Sequence, residues 1–263
     1  MSVSNLVSNN PLVSIITPSY NQDAYLEDNL RSVMAQSWEK IEHIVIDGGS
    51  SDRTTQILKN YEKKYNLSWE SKKDNGQSDA INRGFDLASG EIVYWLNSDD
   101  ALVSRLAIEK IVKIFQENPK VDIVFGNRIV VDADNNLIKL QYTGSFNYKK
   151  VCDGTLPIFQ ENVFFRSHVI KKEKINVNLR VVMDTDYWVR LGKNYNFLYV
   201  PDIYALFRIH DTNKTVSEVY AETWNKEKDY LKKKYGIHRY KVGVGAQPLR
   251  YIHRAKALLT GSY

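Results

Sequence analysis

Residues 91–100 read Glu-Ile-Val-Tyr-Trp-Leu-Asn-Ser-Asp-Asp, an apolar run that ends in two adjacent carboxylates. A short apolar run bounded by turn residues predicts a buried strand, and we expect a helix to open at 101–102. Two neighbouring carboxylates repel each other unless a cation or a proton separates them, so the pair favours a hard divalent metal. The alternative is that Ser98, Asp99 or Asp100 caps the helix that follows.

Two earlier apolar runs, at 11–17 and 41–47, end in polar residues in the same way. Strands that alternate with helices predict a parallel sheet with right-handed crossovers. The polar groups at 17–21, 47–52 and 97–100 would then converge at one edge of the sheet, where open α/β sheets hold their ligands. Each group taken alone could equally be a strand–turn–helix connection.

The second half of the chain predicts a different arrangement of elements. A helix is expected at 102–117. Further strands are expected at 121–131, 137–142, 159–166, 197–200 and 203–209, with a helix inside 180–192. The fold class is therefore expected to be α/β, with a Rossmann-like, mostly parallel central sheet flanked by helices and a mixed second half.

Composition and charge limit the possible function. The chain has 263 residues, of which 43% are hydrophobic and 25% charged, and its single cysteine supplies neither a disulfide nor a thiolate metal cluster. Neither a signal peptide nor an apolar run of membrane-spanning length is present in the sequence, which favours a cytoplasmic protein. The net charge is +8 over residues 224–263 and −3 over the rest. The basic pI of 9.0 therefore belongs to the C-terminal segment and does not indicate nucleic-acid binding by the body.

Four stretches, at 13–21, 45–52, 75–84 and 96–100, resemble the motifs of family 2 glycosyltransferases in order and spacing. The resemblance covers roughly residues 11–215. It implies the GT-A fold, with a nucleotide-sugar-binding half at 11–117 and an acceptor and catalytic-base half at 118–215. It also implies a nucleotide-diphosphate-sugar donor, most often a UDP-sugar, together with Mn²⁺ or Mg²⁺ and inversion at the anomeric carbon. The acceptor would be a glycan or a lipid-linked sugar in cell-envelope polysaccharide synthesis, and the group transferred a hexose or N-acetylhexosamine.

The resemblance also assigns donor and metal contacts. Donor contacts fall on Thr17, Pro18, Ser19, Tyr20, Asp47, Asp79, Arg83, Asn97, Ser98, Asp100 and Arg208. Within this set, Asp47 is expected to read the base. Asp99 would be the main metal ligand of a DxD-like motif and His210 would complete the metal shell. Asn97 departs from the motif because it stands at the first acidic position.

Residues 183–191 resemble the acidic motif that precedes the acceptor helix of the family. Asp184 is accordingly expected to be the general base, with Asp186 as the reserve candidate, while Met183 replaces the usual Glu. Gln160 and Trp188 are expected on the acceptor side. On the residues alone, the two aspartates could instead begin a helix and complement its dipole.

The ends of the chain carry separate expectations. Residues 1–10 are expected to be a disordered leader, and 216–263 a basic helical tail with a charged helix at 225–235. A basic amphipathic helix at 249–259 could contact an anionic membrane surface, or pack against the body or a partner subunit.

Other function classes fit less well. A sugar-nucleotide pyrophosphorylase would require a Gly-rich phosphate loop after the first strand, and a nicotinamide dehydrogenase a GxGxxG motif; residues 17–21 have neither. A catalytically inactive nucleotide-sugar binder remains an alternative, since Asn97 and Met183 both depart from the family pattern.

Overall fold

Nine strands form one mixed sheet in the computed structural model, which describes residues 7–215 and 217–237. The strands are β1 Val13–Ser19, β2 Ile41–Asp47, β3 Leu67–Ser71, β4 Ile92–Trp95, β5 Ala101–Leu102, β6 Ile123–Val131, β7 Leu137–Gln141, β8 Val163–Arg166 and β9 Phe197–Arg208. The helices are α1 Leu26–Met34, α2 Thr54–Tyr61, α3 Gln77–Leu87, α4 Ala107–Glu117, α5 Tyr148–Cys152, α6 Ser167–Lys172, α7 Met183–Leu191 and α8 Ala221–Tyr235.

The first four strands form the parallel block that the sequence predicts, in the order β3-β2-β1-β4. All seven residues of β1 are buried, as expected for a central strand covered on both faces. The register pairs Ser19 of β1 with Asp47 of β2, so these two strands end side by side. The strand-end groups at 17–21, 47–52 and 97–100 therefore do share one edge of the sheet.

The second half makes the sheet mixed. β8 runs antiparallel between β4 and β6, and β9 is parallel to β6. The two short strands expected at 197–200 and 203–209 are one twelve-residue strand, β9. Pro201 is accommodated because the β6–β9 register shifts beside Gly126, and strand prolines are confined to such irregularities or to edges.

The helix expected from residue 102 begins later. Residues 101–102 form β5, which pairs with Leu206 and Ala205 of β9, and α4 begins at Ala107. This pairing holds the acidic loop, residues 97–100, next to β9. Asp99 and Asp100 therefore lie before β5 and do not cap α4.

The described parts of the chain ends bear on two expectations. Ser8 donates twice to Glu91, at 2.8 and 2.6 Å, so the described part of the expected leader is bonded to the body. Helix α8 covers the helix expected at 225–235 and buries Leu231 against the core. The amphipathic helix expected at 249–259 lies outside the described residues. No helix within residues 7–215 and 217–237 is both long and apolar enough to span a bilayer.

Candidate active site

A cavity of about 1410 Å³ opens at the carboxyl ends of β1, β2 and β4 and is also lined by residues from the second half of the chain. The lining residues from the first half include Pro18, Ser19, Tyr20, Gly48, Asp74, Gln77, Asn97, Ser98 and Asp99. Those from the second half include Arg128, Gln160, Glu161, Asp184, Trp188 and Lys214. A large cleft at this edge of an α/β sheet is where ligands bind in such folds.

The end of β1 contributes three of the predicted donor residues. Pro18, Ser19 and Tyr20 line the cavity, and the ring of Tyr20 is 61% exposed. The Ser19 hydroxyl is buried and has no hydrogen-bond partner among the described residues. Thr17, in contrast, lies outside the cavity wall, where its hydroxyl is 2.9 Å from Nε2 of His43.

Asp47, the predicted base reader, is fully buried and points into its own loop. It accepts from the backbone N–H of Ser50 at 2.9 Å and from the hydroxyls of Ser50 and Ser71 at 2.5 Å each. These bonds fix the loop after β2 and leave the carboxylate no contact with the cavity. The carboxylate at this corner belongs to Asp74, because a Cβ at Gly48 would lie 2.8 Å from Oδ2 of Asp74.

Asp79 and Arg83 also lie outside the cavity wall. Asp79 accepts from the backbone N–H of Asn75 at 3.0 Å and so closes the loop before α3. Arg83 pairs with Glu70. The structure therefore does not place either of these predicted donor contacts with the others.

Asn97 holds the two halves of the site together. Its Oδ1 accepts from Gln77 and from the indole of Trp95, both at 2.8 Å, and its Nδ2 donates to Gln160 at 2.8 Å. Gln160 in turn donates to the carbonyl of Trp95 at 2.7 Å. An aspartate at 97 could not donate to Gln160, so the departure from a strict DxD serves this network. Gln160 lines the cavity, but its amide is spent on the network.

Asp99 and His210 form the candidate metal pair. Oδ2 of Asp99 lies 3.1 Å from Nε2 of His210. Two neighbouring ligands of an octahedral Mg²⁺, each about 2.1 Å from the ion, lie about 3.0 Å apart. Residues 7–215 and 217–237 contain no group of three His, Cys, Asp or Glu side chains placed to hold an ion. The same 3.1 Å contact is a hydrogen bond, and His210 lies outside the cavity wall, so an ion held here would replace that bond and take its remaining ligands from phosphate and water, as Mg²⁺ commonly does.

Asp100 and Arg208 are structural rather than cavity-lining. Asp100 is buried and accepts from the backbone N–H of Arg208 at 3.0 Å, and burial together with Asp99 raises its pKa well above the ordinary value. The Arg208 guanidinium is buried, donates to the carbonyl of Asp99 at 2.8 Å and pairs with Asp28 at 3.0 Å. Its donors bond the acidic loop and α1, so the structure does not place Arg208 with the donor contacts predicted for it.

Asp184 faces the cavity from the first turn of α7. The start of this helix is fixed by Glu227 of α8, whose carboxylate accepts from the N–H groups of Arg180, Val181 and Val182 at 2.7–3.1 Å. Burial raises the pKa of Asp184, although the Thr185 N–H donates to it at 2.7 Å. Asp184 is therefore a carboxylate that lines the cavity from a helix whose first turn is held in place.

Asp186, the reserve base, has a structural role instead. It is buried outside the cavity wall and accepts from Arg190 at 2.9 Å, Tyr235 at 2.7 Å and Lys234 at 3.1 Å. Burial alone would raise its pKa, but these hydrogen bonds hold the pKa below the ordinary value. Asp186 joins α7 to α8 and is not placed to meet an acceptor.

Trp188 lines the cavity but cannot be a stacking platform. It is 3% exposed, and its ring stacks on Phe165 with centroids 6.0 Å apart. Its indole N–H has no hydrogen-bond partner within the part of the chain that the structure describes. The N–H, rather than the ring face, is the group that Trp188 can offer to a ligand.

Sequence reasoning missed the basic side of the cavity. Lys214 donates to Gln77 at 2.6 Å and approaches the carbonyl of Arg180 at 3.3 Å. Burial, followed by the nearby Arg180 guanidinium, lowers the pKa of Lys214 to about 8. Gly76 has a φ of 106°, and a Cβ there would clash with the Arg180 guanidinium. This glycine, inside one of the quoted motifs, was the available signal that a side chain packs over the start of α3.

Within residues 7–215 and 217–237, five buried side-chain polar atoms have no hydrogen-bond partner, and three of them belong to residues that line this cavity. The three are the Ser19 hydroxyl, Oε1 of Glu161 and the indole N–H of Trp188. Each buried polar atom left unsatisfied costs about 1–3 kcal/mol, and natural structures keep few of them. A ligand or water that reached them from the cavity would remove that cost.

Comparison with known proteins bears on the family and the fold. The family model described as glycosyl transferase family 2 matches residues 14–177, more than half of the chain. An uncharacterized glycosyltransferase of Methanocaldococcus jannaschii is 24% identical over an alignment that covers 80% of this chain and 74% of that protein.

Two solved structures share the architecture. A crystal structure of residues 1–349 of S. aureus TarS in complex with UDP has a TM-score of 0.64 at 17% identity, covering 94% of this chain and 79% of that one. A mannosyltransferase from Pyrobaculum calidifontis in complex with GDP-Man and Mn²⁺ has a TM-score of 0.65 at 16% identity, covering 95% and 70%. A longer TarS chain also matches, of which this chain spans 37%. These likenesses confirm the expected GT-A fold.

Proposed function

Because the chain belongs to glycosyl transferase family 2, we propose that it moves a sugar from a nucleotide-diphosphate sugar to a hydroxyl group of a glycan or lipid-linked acceptor. The observation that carries the proposal is the cavity itself. The residues that line it include Asn97, Ser98 and Asp99 of the acidic loop after β4, together with Asp184 and the three residues whose buried polar atoms are unsatisfied. Family membership removes the pyrophosphorylase and dehydrogenase alternatives.

The donor is proposed to be a UDP-sugar carrying a hexose or N-acetylhexosamine. The support is that TarS is solved with UDP, although the mannosyltransferase is solved with GDP-Man. Pro18, Ser19 and Tyr20 would hold the nucleoside. Lys214 and Arg180 would face the diphosphate from the other wall, since both are cationic and line the cavity.

Transfer is proposed to be a single displacement with inversion. The acceptor oxygen bonds to the anomeric carbon, the bond from that carbon to the nucleotide oxygen breaks, and Asp184 takes the acceptor proton. Mn²⁺ or Mg²⁺, when held by Asp99 and His210, would neutralise charge on the leaving diphosphate. Mn²⁺ in the mannosyltransferase complex supports the choice of ion.

The test is calorimetric titration of UDP, GDP and dTDP with Mn²⁺ or Mg²⁺, and then with chelator. We expect one nucleotide to bind in a metal-dependent manner and Asp99→Ala to lose that dependence. Asp86→Ala, a surface carboxylate paired with Lys174, is the matched control and should bind as wild type does. Failure of all three nucleotides to bind would contradict the proposal. Binding without turnover toward any acceptor would favour the inactive-binder alternative.

Lys214 gives the proposal a pH signature. An anionic diphosphate binds the ammonium form, so affinity should be greatest below the Lys214 pKa of about 8 and should fall as pH rises through it. We expect Lys214→Met to bind the nucleotide about 10- to 100-fold more weakly, the effect of losing a charged hydrogen bond. Its binding should also lack the alkaline decline. Titrations from pH 6.5 to 9.5 with Mg²⁺ measure this, and identical profiles for both proteins would rule out the role of Lys214.

A further inference from the structure

Glu161 is a buried carboxylate that the proposed displacement does not use. It is 2% exposed, lines the cavity, and its Oε1 has no hydrogen-bond partner within residues 7–215 and 217–237. Its one ion pair, to Nη1 of Arg128, is 3.8 Å long, beyond hydrogen-bond distance. The oxygen thus has a countercharge nearby but no hydrogen-bond donor.

Arg128 is fixed in place and does not close this gap. Its guanidinium carbon lies 4.5 Å from the centre of the Phe159 ring and 4.7 Å from that of Phe207, and its Nε donates to Gln141 at 2.7 Å. A guanidinium held between two rings and a hydrogen bond is rigid. Burial raises the pKa of Glu161, and the nearby Arg128 opposes that shift. When Glu161 is ionised the pair carries no net charge, so it suits an uncharged ligand with hydroxyl groups better than an anion.

The second unsatisfied group on this wall is the indole N–H of Trp188. Trp188 follows Asp184 by four residues on α7, so the two side chains lie on the same face of the helix. Glu161 and Asp184 interact electrostatically across the cavity wall. An acceptor and a donor for hydrogen bonds therefore accompany the proposed base.

We propose that Glu161 and the indole N–H of Trp188 form a subsite for two oxygens of the acceptor other than the attacking one, so that the acceptor is a pyranose whose hydroxyl next to the attacking one bonds Glu161. The proposal rests on the proposed function. A sugar hydroxyl can donate to Glu161 and another sugar oxygen can accept from Trp188, which satisfies both buried atoms. An acceptor with one hydroxyl, such as a serine side chain or a fatty alcohol, leaves both unsatisfied. Sites built to bond a hydroxyl discriminate by about 10⁴–10⁵-fold against ligands that lack it.

The test uses the full chain and the donor identified by calorimetry. Two rates are measured: donor hydrolysis without acceptor, and transfer to each member of an acceptor panel. The panel contains methyl pyranosides, their monodeoxy derivatives, N-acetylserine amide and 1-octanol. We expect a pyranoside to be glycosylated, its deoxy derivative at the neighbouring position to react at least 100-fold more slowly, and the single-hydroxyl compounds not to react.

The variants assign this selectivity to the two residues. Glu161→Gln and Trp188→Phe should each raise the pyranoside KM by about 10- to 100-fold, with the nucleotide Kd within twofold of wild type. Glu161→Gln should not slow transfer to the deoxy derivative any further, because that derivative lacks the hydroxyl that Glu161 binds. Tyr204→Phe is the matched control, since its buried hydroxyl is also unpartnered but lies outside the cavity wall, and it should behave as wild type.

The outcomes separate the two proposals. Three results would overturn the subsite while nucleotide binding and donor hydrolysis stand. They are an unchanged pyranoside KM in both variants, transfer to 1-octanol as fast as to a pyranoside, and a panel in which no pyranoside is glycosylated or slows donor hydrolysis. A wild-type protein that neither binds a nucleotide diphosphate nor hydrolyses a donor would overturn the proposed function and the subsite with it.

Discussion

Asp184→Asn is expected to lower kcat by about 10²–10⁴-fold, the contribution of a positioned general base, while the nucleotide Kd stays within about twofold. The amide keeps the shape of the carboxylate and can still accept from the Thr185 N–H. It cannot take the acceptor proton. Single-turnover transfer measured beside nucleotide titration separates these two effects.

Asp186→Asn is the control for this prediction, because Asp186 begins the same helix but faces α8. It should lower the urea midpoint through weaker bonds to Arg190, Lys234 and Tyr235, yet leave kcat of the folded protein near wild type. Because burial raises the pKa of Asp184, and the base acts as the carboxylate, wild-type kcat should fall as pH drops through that raised value. Wild-type turnover in Asp184→Asn would show that another group is the base.

The parallel half of the fold could be predicted because its signals are local. The runs at 13–17, 41–47 and 92–95 are apolar and end in turn residues, and each is the expected strand. The start of α1 is harder to read from the sequence: Asp23 is of a residue type that often caps helices, yet α1 begins at Leu26. The preference of aspartate for N-cap positions locates a helix start only when its side chain bonds the first N–H groups of that helix. The Asp23 carboxylate instead accepts a hydrogen bond from Arg53 at 2.9 Å.

The mixed half depends on pairings between distant residues. Residues 101–102 are a strand only because β9, about a hundred positions later, lies beside them. The sequence predicted two strands on either side of Pro201, but β9 runs through this residue because its register with β6 shifts there. No local pattern encodes either fact, since each arises from the partner strand.

The site was predictable by motif and less so by role. The expected positions 18–20, 97–99, 160, 184 and 188 all line the cavity. The other predicted site residues do not line it, because each is engaged in hydrogen bonds or ion pairs with neighbouring residues; these are Thr17, Asp47, Asp79, Arg83, Asp100, Asp186, Arg208 and His210. Sequence places a polar residue at a strand end, but which partners it meets there depends on the fold. For the same reason Lys214 and Glu161 carried no sequence signal of their own.

Arg208→Met is expected to lower the free energy of unfolding by about 3 kcal/mol, since it removes a buried charged donor from several acceptors at once. Arg208 is 1% exposed, bonds the Asp99 carbonyl at 2.8 Å and Oδ1 of Asn135 at 2.6 Å, pairs with Asp28 at 3.0 Å, and lies over the ring of Tyr25. Methionine fills much of the volume but leaves the Asp99 carbonyl without this donor. Urea unfolding of the two proteins measures the difference.

Arg53→Met is the matched control, because Arg53 makes one exposed ion pair, to Asp23 at 2.9 Å. Such pairs contribute about 0–1 kcal/mol, so its unfolding midpoint should barely move. If Arg208 instead met the diphosphate, as the family resemblance implied, Arg208→Met would unfold like wild type and lose nucleotide affinity. A third possible result is a large loss of stability together with weaker nucleotide binding that is seen only when metal is present. It would mean that Arg208 affects donor binding indirectly, by holding the acidic loop in place.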